Sequence, residues 1–246
     1  MDNRKRYWDI FSSTYSDVWE KDYGRKILNN KELSFIEKYI AIKKKKLNKM
    51  DYLDIGCGTG RIIDYILKKD SMLQSIVGVD LSSEMLSKSK ERFKHNKKVS
   101  FELFDIERQK LDKIGKFDFC TAIRILKYCK DIKKTIKNIS SGINDDGIII
   151  FTITNVYSVA FFDFIKIGHY KQSNNYIKKI LYENGFRILE VEGFQKLPDP
   201  VYSIFGKSKI IGKVFKLEDL LKKIFGKTTF SRVLYYAAVK VDQKSL

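Results

Sequence analysis

Residues 53–60 read LDIGCGTG, an apolar run and an acid followed by three glycines at alternate positions. A glycine-rich loop after a buried strand typically receives a nucleotide, because no Cβ keeps the ligand away from the backbone N–H groups. A dinucleotide-binding loop, G-x-G-x-x-G, would place its third glycine at position 61, which is Arg61. A phosphate-binding P-loop needs Gly-Lys-Ser/Thr after four spacer residues, and the sequence lacks it. The loop therefore disfavours NAD and excludes a Walker-type nucleotide site.

Three carboxylates accompany this loop. Asp54 lies within it, Asp80 ends the segment GVD twenty residues after Gly60, and Asp105 follows in FDIE after another 25 residues. An acid at the end of a strand can accept charge-assisted hydrogen bonds from ribose hydroxyls, although an Asp there is also a common helix cap or turn former. Each carboxylate alone is therefore ambiguous, and the signal lies in their order and spacing with the loop.

These residues lie in a regular alternation of strand-like and helix-like segments. Strands are predicted at MDYLDIG, SIVGVD, VSFELFD, KFDFCTAI, GIIIFTIT, FRILEVEGF and VLYYAAVKV. Helices are predicted from Arg61 to Lys69, from a Ser82 or Ser83 cap, and between Ser173 and Gly185. The alternation predicts βαβ units and a parallel sheet, with a ligand crevice beyond the carboxyl ends of the strands.

The chain is interpreted as one domain over residues 1–246, because 246 residues with 43% apolar composition can bury one good core. Its predicted parts are an N-terminal helical cap, a Rossmann-like core, a helical insert and a last strand with its tail, at residues 1–47, 48–197, 198–228 and 229–246. The only two prolines, Pro198 and Pro200, mark the start of the insert.

The glycine loop, Asp80 and Asp105 are followed in the sequence by FDFCTAIRILKYCKD and DDGIIIFTI. Together these motifs resemble those of the class I S-adenosylmethionine-dependent methyltransferases. The resemblance runs from about Tyr7 to Lys240 and points to the small-molecule type. It implies a Rossmann-like, doubly wound, mostly parallel α/β sheet of seven strands with an antiparallel last strand, N-terminal helices and a helical insert before that strand. It also implies S-adenosylmethionine as cofactor and S-adenosylhomocysteine as product.

The resemblance also implies a cofactor site. In it, Asp54 meets the ammonium group directly or through water, Asp80 the ribose hydroxyls, and Asp105 the adenine amino group. The other implied cofactor residues belong to the loop, the adenine surroundings, the end of the fourth strand and an aromatic side chain closing over the cofactor: Gly56, Cys57, Gly58, Gly60, Leu81, Met85, Ile106, Ala122, Ile123 and Tyr15. For Tyr15, core packing of an amphipathic helix is an equal alternative.

Methyl transfer is an in-line displacement that needs positioning and desolvation, and a base only when an O–H or N–H⁺ loses its proton. The segment ILKYC lies where relatives resembling this chain often carry a histidine pair. Lys127 and Tyr128 occupy these positions instead, which excludes a histidine base there and leaves Tyr128 as a candidate catalytic residue. His169 is the second candidate, although a solvated loop position is the default for a lone histidine. Tyr7, Tyr157 and Tyr170 are candidate substrate-binding residues, with helix core packing as the alternative for Tyr7.

The acceptor is predicted to be a small molecule, such as a sugar or another biosynthetic intermediate, methylated on O or N. No NPPY- or DPPY-like motif follows the fourth strand, and no cysteine arrangement for base C5 methylation is present. The alternative is an RNA methyltransferase that uses the basic surface, since the formal net charge is +18. Most of the 48 basic residues are lysines spread through the chain, which favours a compositional bias over nucleic-acid binding.

Residues 203–226 have a basic amphipathic character. A helix covering the substrate pocket, or a dimer surface, is favoured there over contact with an anionic membrane. The sequence leaves a monomer and a homodimer open. The three cysteines show neither metal-ligand nor disulfide spacing, and the N-terminus has no apolar segment, so a cytoplasmic protein without a metal is expected.

Overall fold

The structure, a computed structural model, describes residues 3–12, 22–69, 72–158 and 169–242. Its strands are β1 (Met50–Ile55), β2 (Leu73–Asp80), β3 (Val99–Leu103), β4 (Phe117–Ala122), β5 (Ile143–Asn155), β6 (Lys171–Gln172), β7 (Phe186–Phe194) and β8 (Val233–Lys240). They form one sheet in the order β3-β2-β1-β4-β5-β8-β7, with β6 paired to β5. The pairs among β1 to β5 are parallel, whereas β8 runs antiparallel to β5 and β7.

The predicted Rossmann-like, mostly parallel sheet with an antiparallel last strand is therefore confirmed. All seven predicted strands are present, and the eighth is β6, only two residues long. The central strands are apolar on both faces because helices cover both faces of the sheet. Tyr52, Leu53 and Ile55 of β1, for example, are all buried.

The described residues contain eight α-helices: α1 (Asn3–Phe11), α2 (Tyr23–Lys44), α3 (Arg61–Lys69), α4 (Ser83–Arg92), α5 (Ile132–Ser140), α6 (Asn174–Glu183), α7 (Asp199–Phe205) and α8 (Ile211–Phe225). Side-chain caps fix several of their starts. Ser82 accepts a hydrogen bond from the Met85 N–H at 3.1 Å, and Ser173 accepts one from the Tyr176 N–H at 3.2 Å. Of the two predicted caps for α4, Ser82 is the one used.

Helical periodicity places the apolar faces of these helices against the sheet. On one side, α5 buries Ile132, Ile136 and Ile139 in one core cluster. On the other side, α3 buries Ile62 and Ile66 in the second cluster. Because both faces are filled, the carboxyl ends of the parallel strands are where a ligand can approach the sheet.

Some boundaries differ from the predictions. Within the predicted N-terminal helical cap, helix α2 begins at Tyr23 because Asp22 caps it by accepting from the Arg25 N–H at 2.9 Å. Strand β5 begins at Ile143, ahead of the predicted GIIIFTIT segment. The boundaries of α3 and β7 are as predicted. The division of residues 1–246 into one domain with four parts stays a prediction.

The insert before β8 forms α7 and α8. Helix α8 has an inner face, on which Ile211, Phe215 and Glu218 are buried. Its outer face exposes Leu217, Leu220, Ile224 and Phe225. Within the described ranges, none of the helices combines the length and hydropathy that a bilayer span requires.

Candidate functional site

The glycine loop turns the chain from β1 into α3 with all three glycines in the left-handed region, at φ values of 70°, 55° and 79° for Gly56, Gly58 and Gly60. The Gly56 N–H donates to the Val79 carbonyl at 2.7 Å, which ties the loop to the end of β2. A Cβ on Gly56 would lie 2.0 Å from Cγ2 of Ile125. Glycine is thus required at position 56 by both its backbone conformation and the close approach of Ile125.

Asp80, at the end of β2, binds the same loop. Its Oδ2 accepts from the Gly58 N–H at 2.8 Å, and its Oδ1 accepts from the Ser82 N–H at 2.9 Å. Burial raises the pKa of this carboxyl, and the hydrogen bonds from the backbone of Ser82 and Gly58 oppose that shift. A carboxylate offers about four lone-pair sites, so Asp80 keeps acceptor capacity for a ligand.

Helix α1 lies across the ends of β2 and β3. Arg4 makes an ion pair with Glu107 at 2.5 Å and lies 3.7 Å from Asp105. Asp9 accepts a hydrogen bond from the Ser82 hydroxyl at 2.5 Å. These contacts hold the helix over the turns that follow both strands.

Together these elements form the glycine-loop pocket, which opens at the carboxyl ends of β1, β2, β3 and β4. It is lined by Arg4, Trp8, Ile55, Gly56, Gly58, Val79, Asp80, Leu81, Met85, Phe104, Asp105, Ile106, Ile123, Arg124, Ile125, Tyr128 and Cys129. Eight of the residues predicted for the cofactor are in this lining: Gly56, Gly58, Asp80, Leu81, Met85, Asp105, Ile106 and Ile123. Asp54, Cys57, Gly60 and Ala122 are buried outside the lining. Tyr15 lies outside the described residues.

Asp54, 1% exposed, has one carboxylate oxygen satisfied and one not. Its Oδ1 accepts from the Thr121 hydroxyl at 2.7 Å, whereas its Oδ2 is buried without a hydrogen-bond partner among the described residues. Burial raises the pKa of Asp54 to about 7, against the opposing effects of Thr121 and Arg61. A buried carboxylate oxygen in this state favours a cationic ligand group beside it.

The described aromatic residue of α1 in the pocket lining is Trp8, which the sequence reasoning missed. Tyr7, the predicted substrate residue, is 55% exposed and packs edge-on against Trp8. Trp8 in turn meets the Tyr128 ring edge-on at 5.3 Å between centroids. The sequence predicted helical residues around Tyr7 but did not show which aromatic side chain of α1 faces the pocket.

The two candidate catalytic residues lie together. The rings of Tyr128 and His169 meet edge-on with centroids 5.0 Å apart. The Tyr170 N–H donates to the Lys127 carbonyl at 2.7 Å, which joins their two chain segments. Tyr170 itself is 38% exposed and Tyr157 is 72% exposed, so neither of these predicted substrate residues is enclosed.

A second pocket adjoins the first. This arginine pocket, of about 350 Å³, is lined by Asp22, Gly24, Arg25, Leu28, Arg124, Lys127, Thr152, Ile153, Thr154, His169, Phe194, Gln195, Tyr202, Ser203, Phe215, Arg232, Val233 and Tyr235. Arg124, two residues after the end of β4, lines both pockets. The inner face of α8 contributes Phe215, so this helix covers a pocket next to the glycine loop. That residues 203–226 cover the substrate pocket or form a dimer surface stays a prediction.

The side chain of Arg124 binds Glu32 of α2, and Glu32 is fully buried. The Arg124 Nε donates to Glu32 at 3.1 Å, the Tyr235 hydroxyl donates to it at 2.7 Å, and Arg61 forms a further ion pair with it. Burial alone would raise the pKa of Glu32, but Arg124 and Arg61 outweigh it and lower the pKa. Glu32 is therefore a buried anion shared by two guanidinium groups.

The three cysteines are buried and free. Burial raises the pKa of Cys57 well above its usual value and that of Cys129 to about 12, so neither is a thiolate at neutral pH. In the described part of the chain, no group of three or more His, Cys, Asp or Glu side chains has the arrangement of a metal site.

Comparisons with known proteins show a methyltransferase domain within the chain and a similar fold in solved structures. A family model for methyltransferase domains matches residues 53–149. An uncharacterized protein of Methanocaldococcus jannaschii is 31% identical over 171 residues, covering 67% of this chain and 61% of that protein. The chain thus spans less than two thirds of this relative's length.

Two solved structures have a similar fold. An S-adenosylmethionine-dependent methyltransferase from Clostridium acetobutylicum has a TM-score of 0.64 at 18% identity, covering 94% of this chain and 99% of its own. A magnesium protoporphyrin IX methyltransferase from Synechocystis with bound S-adenosylhomocysteine has a TM-score of 0.62 at 16% identity, covering 97% and 100%. At this identity the likeness supports the fold alone.

Proposed function

We propose that the chain is a class I S-adenosylmethionine-dependent methyltransferase, which transfers a methyl group from that cofactor to a small-molecule acceptor. One observation carries the proposal. The glycine loop, Asp80 and Asp105 converge on one pocket at the carboxyl ends of neighbouring parallel strands. This is the crevice in which open α/β sheets bind nucleotides.

The residues present fit the cofactor. Asp80 keeps acceptor capacity for the ribose hydroxyls, and Leu81 and Met85 supply apolar surface beside the Asp105 carboxylate for the adenine. The unpartnered Oδ2 of Asp54 fits the α-ammonium group, directly or through water. When bound, S-adenosylmethionine supplies a methyl group activated by its sulfonium.

The chain's own contribution to the reaction is mainly to position the acceptor and exclude water. Trp8 and Tyr128 wall the glycine-loop pocket, and His169 lines the arginine pocket next to it. For an acceptor that loses an O–H or N–H⁺ proton, we assign proton acceptance to His169, with Tyr128 packed against its ring. For an acceptor that is already a nucleophilic anion no base is required.

Cofactor binding tests the core of the proposal. Calorimetry should give heat with S-adenosylmethionine or S-adenosylhomocysteine and none with NAD. Asp80→Ala should weaken binding by about 1.5–3 kcal/mol for each charged hydrogen bond lost. Asp131→Ala is the matched control, because Asp131 also accepts a backbone N–H, from Lys134 at 2.9 Å, but lies outside both pockets. Equal affinity in the two variants would show that Asp80 does not hold the ribose.

The acceptor class has its own test. The protein is incubated with labelled S-adenosylmethionine and either the small-molecule extract or the RNA of its source cells, and the labelled product is identified by mass spectrometry. Label in a small molecule supports the proposal. Label in RNA alone, with RNA affinity that falls steeply as salt rises, would instead support the RNA alternative.

The outer face of α8 supplies the residues for the alternative that residues 203–226 contact an anionic membrane. Leu217, Leu220 and Ile224 are exposed there beside Lys213 and Lys216, a combination that complements an anionic lipid surface. Leu220→Ser with Ile224→Ser should abolish co-sedimentation with anionic vesicles while keeping cofactor affinity. Equal co-sedimentation of the wild type with neutral and anionic vesicles, or none at all, would remove the hypothesis.

A further inference from the structure

We propose that Thr154 and Gln195 of the arginine pocket form a hydroxyl site, which binds hydroxyl groups of a polyhydroxylated methyl acceptor. This inference rests on the proposed methyl transfer and names the chemical class of its substrate. Both side chains line the pocket, and neither has a hydrogen-bond partner among the residues that the structure describes. A threonine hydroxyl and a glutamine amide each donate and accept, as a ligand hydroxyl does.

The pocket is lined in part by one face of the sheet, where β8 lies between β5 and β7. Val233 of β8 pairs with Thr154 on β5 and with Phe194 on β7, and Tyr235 pairs with Thr152. Paired residues point to the same side of a sheet, and strands lie about 4.8 Å apart, so Thr154 and Phe194 are about 10 Å apart across Val233. The two threonine hydroxyls are thus polar groups set in an apolar and aromatic surface.

The two threonines of this face differ in their hydrogen bonds. Thr152, 2% exposed, accepts the backbone N–H of Arg124 at 2.7 Å and so fixes a residue that lines both pockets. Thr154, 6% exposed, has no partner for its hydroxyl within the described ranges. A largely buried hydroxyl without a partner costs free energy that a valine of similar volume would not cost. Binding of a ligand gives this hydroxyl a role that folding does not.

Gln195 directly follows β7 and adopts the left-handed backbone conformation at φ 60°, which is uncommon for a residue with a side chain. Its carbonyl accepts the Arg232 N–H at 3.0 Å, and the next N–H, that of Lys196, donates to the buried Glu218 of α8 at 2.5 Å. Backbone in such a conformation persists only where its surroundings fix it, and it is concentrated at ligand sites. The turn therefore holds the half-buried Gln195 side chain at the pocket.

The charged side chains of the pocket are engaged within the protein. Arg25, Arg124, Lys127 and Arg232 each have further interactions in the chain, and Asp22 accepts the Arg25 N–H at 2.9 Å. Thr154 and Gln195 instead offer donors and acceptors that no other described residue uses. Hydroxyl groups suit both because they can donate and accept at each position.

Equilibrium dialysis tests the hydroxyl site. The protein, saturated with S-adenosylhomocysteine, is dialysed against the small-molecule extract of its source cells, and retained compounds are identified by mass spectrometry and NMR. We expect the wild type to retain a compound with at least two hydroxyl groups. Thr154→Val and Gln195→Met remove the polar group and keep the side-chain volume, so each should weaken the affinity for that compound about 2- to 10-fold, the effect of one neutral hydrogen bond.

Thr135→Val is the matched control. Thr135 is also buried, but its hydroxyl donates to the Asp131 carbonyl at 2.8 Å and lies outside both pockets. This variant should keep the affinity of the wild type and unfold at a lower urea concentration, because it loses a hydrogen bond. Thr154→Val should show the reverse, a lower affinity with an unfolding midpoint equal to or above that of the wild type. A merely structural role of Thr154 would lower both midpoints.

The outcomes distinguish this inference from the proposed function. If the wild type retains a polyhydroxylated compound but transfers no label from S-adenosylmethionine to any small molecule, the proposed function fails and the hydroxyl site stands. If label is transferred but the wild type retains no such compound, or Thr154→Val and Thr135→Val retain it equally, the hydroxyl site is overturned and methyl transfer stands. Should Thr154→Val fail to fold, Gln195→Met carries the same comparison, and wild-type affinity in that variant overturns the site.

Discussion

The glycine-loop pocket and the arginine pocket share Arg124 but are assembled by the chain in different ways. The first is built from the ends of four neighbouring parallel strands, and its charged groups include Asp80 and Asp105. The second collects side chains from segments between residues 22 and 235 and is rich in arginine. Residues at strand ends belong to short motifs that can be recognised in the sequence. Residues that long-range packing brings together share no such motif.

The largest effect, a loss of stability, is expected from removing the Glu32 carboxylate, which binds Arg124 where the two pockets meet. Glu32→Ala leaves Arg61 and Arg124 without their shared carboxylate, so we expect the free energy of unfolding to fall by about 3–5 kcal/mol. Urea denaturation followed by circular dichroism measures it. Glu91→Ala, which breaks an exposed pair with Lys94, should change it by less than about 1 kcal/mol. Similar losses in the two variants would mean that Arg124 is not held by Glu32.

A second variant breaks the glycine-loop pocket alone. Gly56→Val places a β-branched side chain at φ 70° and against Ile125, so cofactor affinity should fall about 100-fold, near 3 kcal/mol. Gly212→Ala on α8 is the control, because a Cβ there meets no atom within 4 Å. Calorimetry with S-adenosylhomocysteine gives both affinities. Wild-type affinity in Gly56→Val would show that the cofactor does not depend on this turn.

The same contrast explains what the sequence could predict. Gly56 and Asp80 were identifiable because a turn of positive φ and an acid at a strand end are fixed by neighbours in the chain. Arg25 and Arg232 lie more than 200 positions apart, and no local pattern relates them. Their approach depends on how α2 and β8 pack around β5, which periodicity does not encode.

Helix α1 shows how far the sequence could predict side-chain positions within a single helix. An amphipathic helix was predicted around Tyr7, and the substrate-binding role of Tyr7 stays a prediction. Trp8, to which no role was assigned, lines the glycine-loop pocket. The rotation of the helix is set by Arg4 against Glu107 and by Asp9 against Ser82, contacts between distant parts of the chain. Eight of the thirteen predicted cofactor positions lie in the pocket lining, but their roles stay predictions until binding is measured.

A third prediction concerns the charge of Asp54, which is buried beside the glycine loop. Burial raises the pKa of Asp54 to about 7, and an ammonium group beside it would favour the ionised form. Binding should therefore release a proton, and cofactor affinity should fall as pH drops below 7, by up to about tenfold per pH unit. Calorimetry between pH 5.5 and 7.5 in buffers of different ionisation enthalpy measures both the affinity and the proton release.

Asp54→Asn is the control for this pH dependence, since it removes the titrating group and keeps the shape. The variant should show a flat affinity over the same range. The range stays below the pKa of a free α-amino group, about 7.7–8.0, so the ligand's own titration contributes little. Parallel pH profiles for the wild type and Asp54→Asn would place the ammonium group elsewhere.

The smallest effect is expected from Trp8, and it tests whether α1 covers the cofactor. Trp8→Phe keeps an aromatic ring but shortens the edge-on contact with Tyr128, so S-adenosylhomocysteine affinity should fall about two- to tenfold. The chain has two tryptophans, Trp8 and Trp19, so fluorescence can assign the response. Ligand should change the emission of the wild type and of Trp19→Phe, and leave Trp8→Phe unchanged. If the ligand-induced emission change instead disappears in Trp19→Phe and persists in Trp8→Phe, the Arg4 and Asp9 contacts do not hold α1 over the bound cofactor. Helix α1 would then not form one side of the glycine-loop pocket in the bound state.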